Sequence, residues 1–536
     1  MKIRYDVAVS LVAMLIATVF YLPTAQYGFV SDFLGWMVKY KEGSPADIPG
    51  SFGYRGLHPF FHLVNYSFFR FAGLSGFLWT LFFAMLHGVN GYLVFKVTFR
   101  MSELIKIKSA TSIAIISSLI FLLNPYQVEV VTWKACLHYL MSMALFGYGF
   151  LLIIQWLDTK NPGKIWKHHL VFLLSMLTLE INLAAPFIFL AYVLVYVFTQ
   201  QKVQDGKAYA KWFLLPHMIV LVSYFVANQL ILGDIVGHYG AEQHLVFDPN
   251  LIAGNGLKYL SKYLFFIHFL GYETRQVIYG LCTNWAVILP VTIGVIGGLW
   301  YFIKKKKTKE LLLACTLLAF LMALVPVITL WFNDQSLYEN DRYGYYASFH
   351  MAFFMGILLS FFRRRIRWVF FTLLISLHLY FLGLMLTYTQ EAGNLCHNLL
   401  EDYQWEERDV LFMGIPQNYN GLYMYGNYDG ESISFRRSIE LLKGKTISGS
   451  MQDVAHFNMK RPLDKVDITR IDEITYKAGI AQGGTWFWRK SRGLKDHETD
   501  IYSLKLDDWS YTITLKDTTT DYLFLAVKNG TWTTLE

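Results

Sequence analysis

Four short stretches hold the residues able to do chemistry in this chain. They are Asp32 in "FVSDFLGW", Glu129 in "NPYQVEVVTW", Glu180 in "LTLEINLAAP", and Asp341 with Arg342 in "NDRYGYYAS". A carboxylate near an attacking hydroxyl can take its proton as a general base. A guanidinium offers a planar fork of donors that matches a phosphate and stays charged at any relevant pH. Together they suit transfer of a group from a phosphate to a hydroxyl, the base activating the acceptor and the arginine stabilising charge on the departing phosphate. Arg55, in "YRGLHPFF", is a further candidate cation, and Trp133 and Tyr343 flank the acidic positions. Taken singly, Glu129 and Glu180 also read as ordinary interfacial acids, Arg342 as a partner for Asp341, and Arg55 as a headgroup contact.

The elements that must position these residues are apolar. Of 536 residues, 54% are hydrophobic, 17% aromatic and only 16% charged, where a soluble domain carries about 25% charged residues. Runs such as "VAVSLVAMLIATVFYLPTA" match the thickness of a bilayer core. The chain therefore reads as mainly α, a polytopic membrane protein. The net charge of +8 is spread over short segments between spans: "KIR", "KIK", "KNPGKIWKHH", "KKKKTK" and "RRRIR". That is the positive-inside pattern, which sets topology, and it argues against a nucleic-acid partner.

With the basic loops inside, the chain is expected to form about eleven spans: 7–27, 74–98, 110–124, 134–157, 168–180, 184–199, 211–233, 280–303, 311–331, 343–362 and 368–388. The shortest, 110–124 and 168–180, suggest helices that stop at a cavity. Residues 1–389 form the membrane domain, with outside segments at about 28–73 and 234–279 that suit helices lying on the membrane surface. In the second of these, Asn255, Lys258 and Lys262 share one helical face and are expected to point to water. From 390 to 536 hydropathy falls, and "TYKAGIAQGGTWFWRK", "IYSLKLDD" and "WSYTITLKD" alternate like strands. This predicts an extracytoplasmic α/β or β-rich C-terminal domain. By parity, that domain and the four polar clusters share one side of a cytoplasmic (inner) membrane.

Four scattered cysteines, Cys136, Cys282, Cys315 and Cys396, lack the spacing of a disulfide framework or zinc site. His58 and His62 lie four apart but have no evident third ligand, and His238 and His244 read as loop residues. No metal or other cofactor is expected.

In these motifs the chain resembles the GT-C glycosyltransferases, in pattern the protein O-mannosyltransferases and the transmembrane TPR-bearing O-mannosyltransferases. Phe29, Val30 and Asp32 match the family's aromatic-Val-x-Asp-Asp start of the first outside loop, and Tyr54, Arg55 and Leu57 its "YRPL". Pro125, Glu129, Val131 and Trp133 match "HPVHTEAVAW", Glu180 and Pro186 its "KE" element and following proline, and "DRYGYYAS" its "ERYLYLPS". The resemblance runs in order along about 390 residues. It implies inverting transfer of a sugar from a polyprenyl-phosphate donor, with Asp32 as the catalytic acid of the first loop and Arg342 near the donor phosphate. The acceptor hydroxyl would belong to a protein, glycan or lipid.

Phe33 stands where the family has its second Asp, Leu179 where it has a Lys, and Leu137 where an Arg is common. Lys134, Arg55 and His138 are the alternatives for the missing cation. A transporter or flippase for a lipid-linked saccharide would use the same basic, aromatic surface without making bonds, but such proteins commonly carry internal repeats, and none is evident here.

Overall fold

The computed structural model describes residues 2–30, 32–43, 57–233, 235, 248–305, 307–330, 332, 337, 341–403, 408–425, 436, 439–444, 446–489 and 492–534. Helices dominate to Asp402 and strands follow. A helix lies over each of the eleven predicted segments. Among the described residues, seven are long and apolar enough to cross a membrane, or eight if one bent pair counts as a span.

The bundle centres on α4 (Gly76–Leu104), which packs against α1 (Lys2–Tyr21), α5 (Ala110–Leu122) and α7 (Leu137–Thr159). Between them lie α2 (Asp32–Glu42) and α3 (Pro59–Ala72), at the place of the expected surface helices, and α6 (Val128–Thr132). Close contact needs a small residue: a Cβ on Gly88 would stand 2.4 Å from the Cα of Met14 in α1. The sequence then supplies α8 (Gly163–Met176), α9 (Ala185–Gln200), α10 (Val203–Tyr209), α11 (Leu215–Leu232), α12 (Pro249–Phe265), α13 (Tyr272–Cys282) and α14 (Trp285–Lys304). The bundle closes with α15 (Thr308–Leu324), α16 (Asp341–Ser360) and α17 (Arg364–Asp402). Of these, α16 packs against α5 and α15, and α9 against α15.

Of the two segments expected to stop short, 110–124 forms a helix too short to cross the membrane. At 13 residues α5 spans about 20 Å, less than the roughly 30 Å of a hydrocarbon core. Asn124 then accepts a hydrogen bond from the Tyr126 amide at 3.0 Å, and Pro125 pre-sets the next turn. The chain bends by 54° into residues 125–132. That bend brings Glu129 back into the bundle rather than out to water.

After α17, the strands form two packed sheets and a short two-stranded ribbon, Trp488–Arg489 with Arg492–Gly493. In the first, β1 (Val410–Tyr419) runs parallel to β3 (Met451–Asp453), β4 (His456–Met459) and β13 (Leu523–Lys528), with β7 (Thr485–Trp486) and β14 (Thr531–Thr534) at the edges. The second is antiparallel and contains three of the predicted strands, at Thr475–Gln482, Tyr502–Leu506 and Ser510–Leu515. Gly414 of β1 lets Val466 of the second sheet approach: a Cβ there would meet its Cγ2 at 2.7 Å. The domain is fastened to α17, where Trp532 donates to the Leu399 carbonyl at 2.7 Å and Tyr419 to Glu391 at 2.6 Å.

One expectation about direction is overturned. Asn255 and Lys262 of α12 do share a face, but that face is buried and Lys262 is only 1% exposed. Asn255 donates to the Ile328 carbonyl at 2.7 Å. The polar stripe meets polar partners inside the bundle, which repays its desolvation.

Candidate active site at the broken span

Glu129 sits on the single turn after the bend, and Arg342 is the second residue of α16. The two form a buried ion pair, at 1% and 6% exposure. The Arg342 amide donates to Glu129 Oε2 at 2.7 Å, and Nη1 donates to Oε1. A carboxylate at the start of a helix also meets the positive end of its dipole. Arg342 Nη2 donates to the Tyr343 hydroxyl at 3.1 Å. Three rings cover the guanidinium: Tyr343 at 4.6 Å, Trp133 at 5.3 Å, and Tyr423 at 5.8 Å from β2 (Leu422–Tyr423). Trp133 and Tyr423 stack on each other with centroids 4.6 Å apart. Four predicted site residues, Glu129, Trp133, Arg342 and Tyr343, thus meet, and the C-terminal domain adds a third ring.

Asp341 does not pair with its neighbour Arg342. Adjacent helical residues point in different directions, and Asp341 instead forms a buried ion pair with Lys262. The Lys262 ammonium also lies 4.8 Å from the Tyr126 ring, and the Tyr126 hydroxyl donates to the Lys262 carbonyl at 3.0 Å. Two carboxylates therefore balance two cations at the start of α16. Removing any one of the four would leave a buried charge uncompensated.

Lys134, next to Trp133, is different. It is 2% exposed, yet its ammonium has no hydrogen-bond or ion-pair partner among the described residues. Its neighbour is the Phe83 ring at 5.1 Å. A buried ammonium is costly unless an anion meets it.

Asp32 opens α2, and α2 packs against the turn at 134–136; the Asp32 side chain lies outside the described residues. The aromatics beside it are core. Phe29 and Phe33 are buried and meet the Trp79 ring at 6.3 and 5.0 Å, which anchors the start of α2. Arg55, Tyr54, His238 and His244 also fall outside the described residues. Glu180 accepts from the Tyr224 hydroxyl of α11 at 3.3 Å, and its described contacts do not join it to the Glu129–Arg342 cluster. His62 hydrogen-bonds the Tyr40 hydroxyl at 3.0 Å. A cavity of about 520 Å³ lined by Lys106, Lys108, Thr199 and Lys309 lies at the other, basic end of α5, a helix length of about 20 Å from the cluster.

Sequence reasoning missed Lys262 and Tyr423. Lys262 carried a signal, a lysine within an aromatic run, but periodicity gives no direction for a face. Tyr423 comes from a domain whose docking has no local signature.

The chain matches no protein-family model and no curated protein. Among solved structures it is similar to ArnT from Cupriavidus metallidurans bound to undecaprenyl phosphate, at 11% identity and a TM-score of 0.32, covering 84% of this chain and 90% of that one. The apo state of the same protein gives 12% identity and a TM-score of 0.31, covering 84% and 89%. A superposition that loose leaves the site to be argued from this chain's own residues. Fold and site together define a polytopic, mainly helical membrane protein with a β-rich C-terminal part and a buried, ion-paired aromatic cluster.

Proposed function

We propose that this chain is a membrane glycosyltransferase of the GT-C type, transferring a sugar from a polyprenyl-phosphate donor to an acceptor hydroxyl with inversion. The observation that carries the reading is the buried Lys134, whose ammonium has no anion partner among the described residues, beside the Arg342 cradle. A donor phosphate would supply an anion there. The motifs shared in order with the O-mannosyltransferases support the same assignment. The polar clusters and the C-terminal domain would then face the extracytoplasmic side of the cytoplasmic membrane, as the basic loops suggest.

In the proposed reaction the Asp32 carboxylate takes the proton of the acceptor hydroxyl. The acceptor oxygen forms its bond to the anomeric carbon while the bond from that carbon to the phosphate oxygen breaks. Polyprenyl phosphate leaves with one more negative charge than it carried in the donor. Lys134 and Arg342 attract that charge more strongly as it grows, so their contribution falls on the transition state. Glu129 and Asp341 hold the cations in place, Trp133 and Tyr343 line the cradle, and Glu180 and Arg55 are the remaining candidates for donor or acceptor contacts.

The test is sugar release from a labelled polyprenyl-phosphate donor by purified protein. Asp32→Asn should abolish transfer while leaving insertion and folding intact. Lys134→Gln should lower kcat by about 10- to 100-fold, the worth of a charge-assisted hydrogen bond of about 1.5–3 kcal/mol. Full transfer by both variants would refute the assignment. Donor crossing vesicles without sugar release would favour the transporter reading instead.

A further inference from the structure

We propose that His168, His169 and His217 form a site for a divalent transition metal of the zinc class, clipping α11 to the bundle at its basic end. His168 and His169 are neighbours on α8, and His217 is the third residue of α11. One nitrogen from each ring lies within 4.8 Å of the other two. His168 Nε2 and His217 Nε2 are 2.7 Å apart.

The hydrogen bonds around the cluster set its chemistry. His168 Nδ1 is 2.9 Å from the Gly149 carbonyl, and His169 Nε2 is 2.9 Å from the Trp212 carbonyl. A carbonyl only accepts, so both nitrogens carry protons and His168 Nε2 is left as a bare lone pair. This backbone-carbonyl partnership is the one that orients metal-binding imidazoles. His217 is fully buried, and its Nδ1 has no hydrogen-bond partner among the described residues. Without a metal, the two facing nitrogens share one proton. A tetrahedral zinc ion at about 2.0–2.1 Å from each would hold them about 3.3 Å apart, a small ring rotation from where they stand. The fourth position is left to water, reached past the half-buried His169.

The placement has a purpose. Buried residues on α11 are only His217, Leu221, Tyr224 and Asn228, one narrow stripe at intervals of four, three and four. A coordinate link through His217 would tie this narrow stripe to α8, next to the buried Phe213 just before it. Lys164, Lys167 and Lys211 stand nearby in sequence, the Lys211 ammonium lying over the Trp212 ring at 4.8 Å. Their charge opposes a cation, and each imidazole must offer a free lone pair, so the metal would be held by neutral rings.

The experiment uses tag-free, chelator-treated full-length protein in detergent, loaded with Zn²⁺ or Co²⁺, desalted and assayed for metal. One metal ion per chain is expected, with the intense visible bands of tetrahedral cobalt and a raised Tm. His217→Ala should lose the metal. Because that change is buried, His169→Gln at the half-buried position is the second variant. It should weaken binding by more than about tenfold with unchanged circular dichroism. His62→Gln should bind like the wild type. Wild-type protein that desalts essentially metal-free, or wild-type affinity in both His169→Gln and His217→Ala, would overturn the proposal.

Discussion

Glu129→Gln probes the centre of the site most directly. The wild-type carboxylate receives two donors from Arg342, the backbone amide and the guanidinium. The substitution removes the charge and keeps one acceptor oxygen, so the amide stays satisfied while the buried guanidinium loses its counter-ion. Breaking a buried pair from one side costs about 3–5 kcal/mol, and the retained acceptor places this variant near the lower end. The three rings around Arg342 give no new compensation, since they are already engaged. Arg342→Met should cost a similar amount by stranding Glu129. The double variant removes both charges and should be much less unstable than the sum, a coupling of about 2–3 kcal/mol. Reversible unfolding in mixed micelles of rising SDS content, followed by tryptophan fluorescence, would measure all three. Single costs that add to within about 0.5 kcal/mol would refute the argument, because independent sites behave that way.

Three further outcomes follow from other contacts. Lys262→Met leaves Asp341 buried without its partner and should destabilise by about 3–5 kcal/mol in the same assay; adding Asp341→Asn should recover most of the loss. Burial, and then the nearby Lys39 charge, hold His62 down to about 4 from its ordinary value. The unfolded chain therefore binds more protons between about 6.5 and 4, so stability is full above that window and falls as pH drops through it; His62→Gln should flatten this slope in pH-dependent melting. Gly88→Ala forces a methyl against the Met14 backbone and should cost about 1–3 kcal/mol, read as a lowered Tm.

Apolar runs of bilayer length made the bundle legible, and period-two alternation revealed three antiparallel strands. Continuous apolar strands such as "VLFMGI" and "LFLAVK" lack that alternation, because both faces are covered in a parallel core. Glu129 and Arg342 could be singled out as ionisable groups at span ends, where charge needs a reason. Their pairing could not, since 213 residues separate them. Lys262 was misdirected because an amphipathic pattern has the same period whether its polar face meets water or a buried carboxylate. The histidine cluster joins "KHH" to a residue 49 positions on, across a connection whose geometry no local motif encodes.

The stack of Tyr423 on Trp133 has a consequence for how the molecule can be divided. Cutting the chain after Asp402 would strip a ring from the guanidinium's cover and open the cluster to water. The strands at the end of the chain are thus a lid on the membrane half. A partner gripping that lid would have a mechanical route to the buried charges without touching the bilayer.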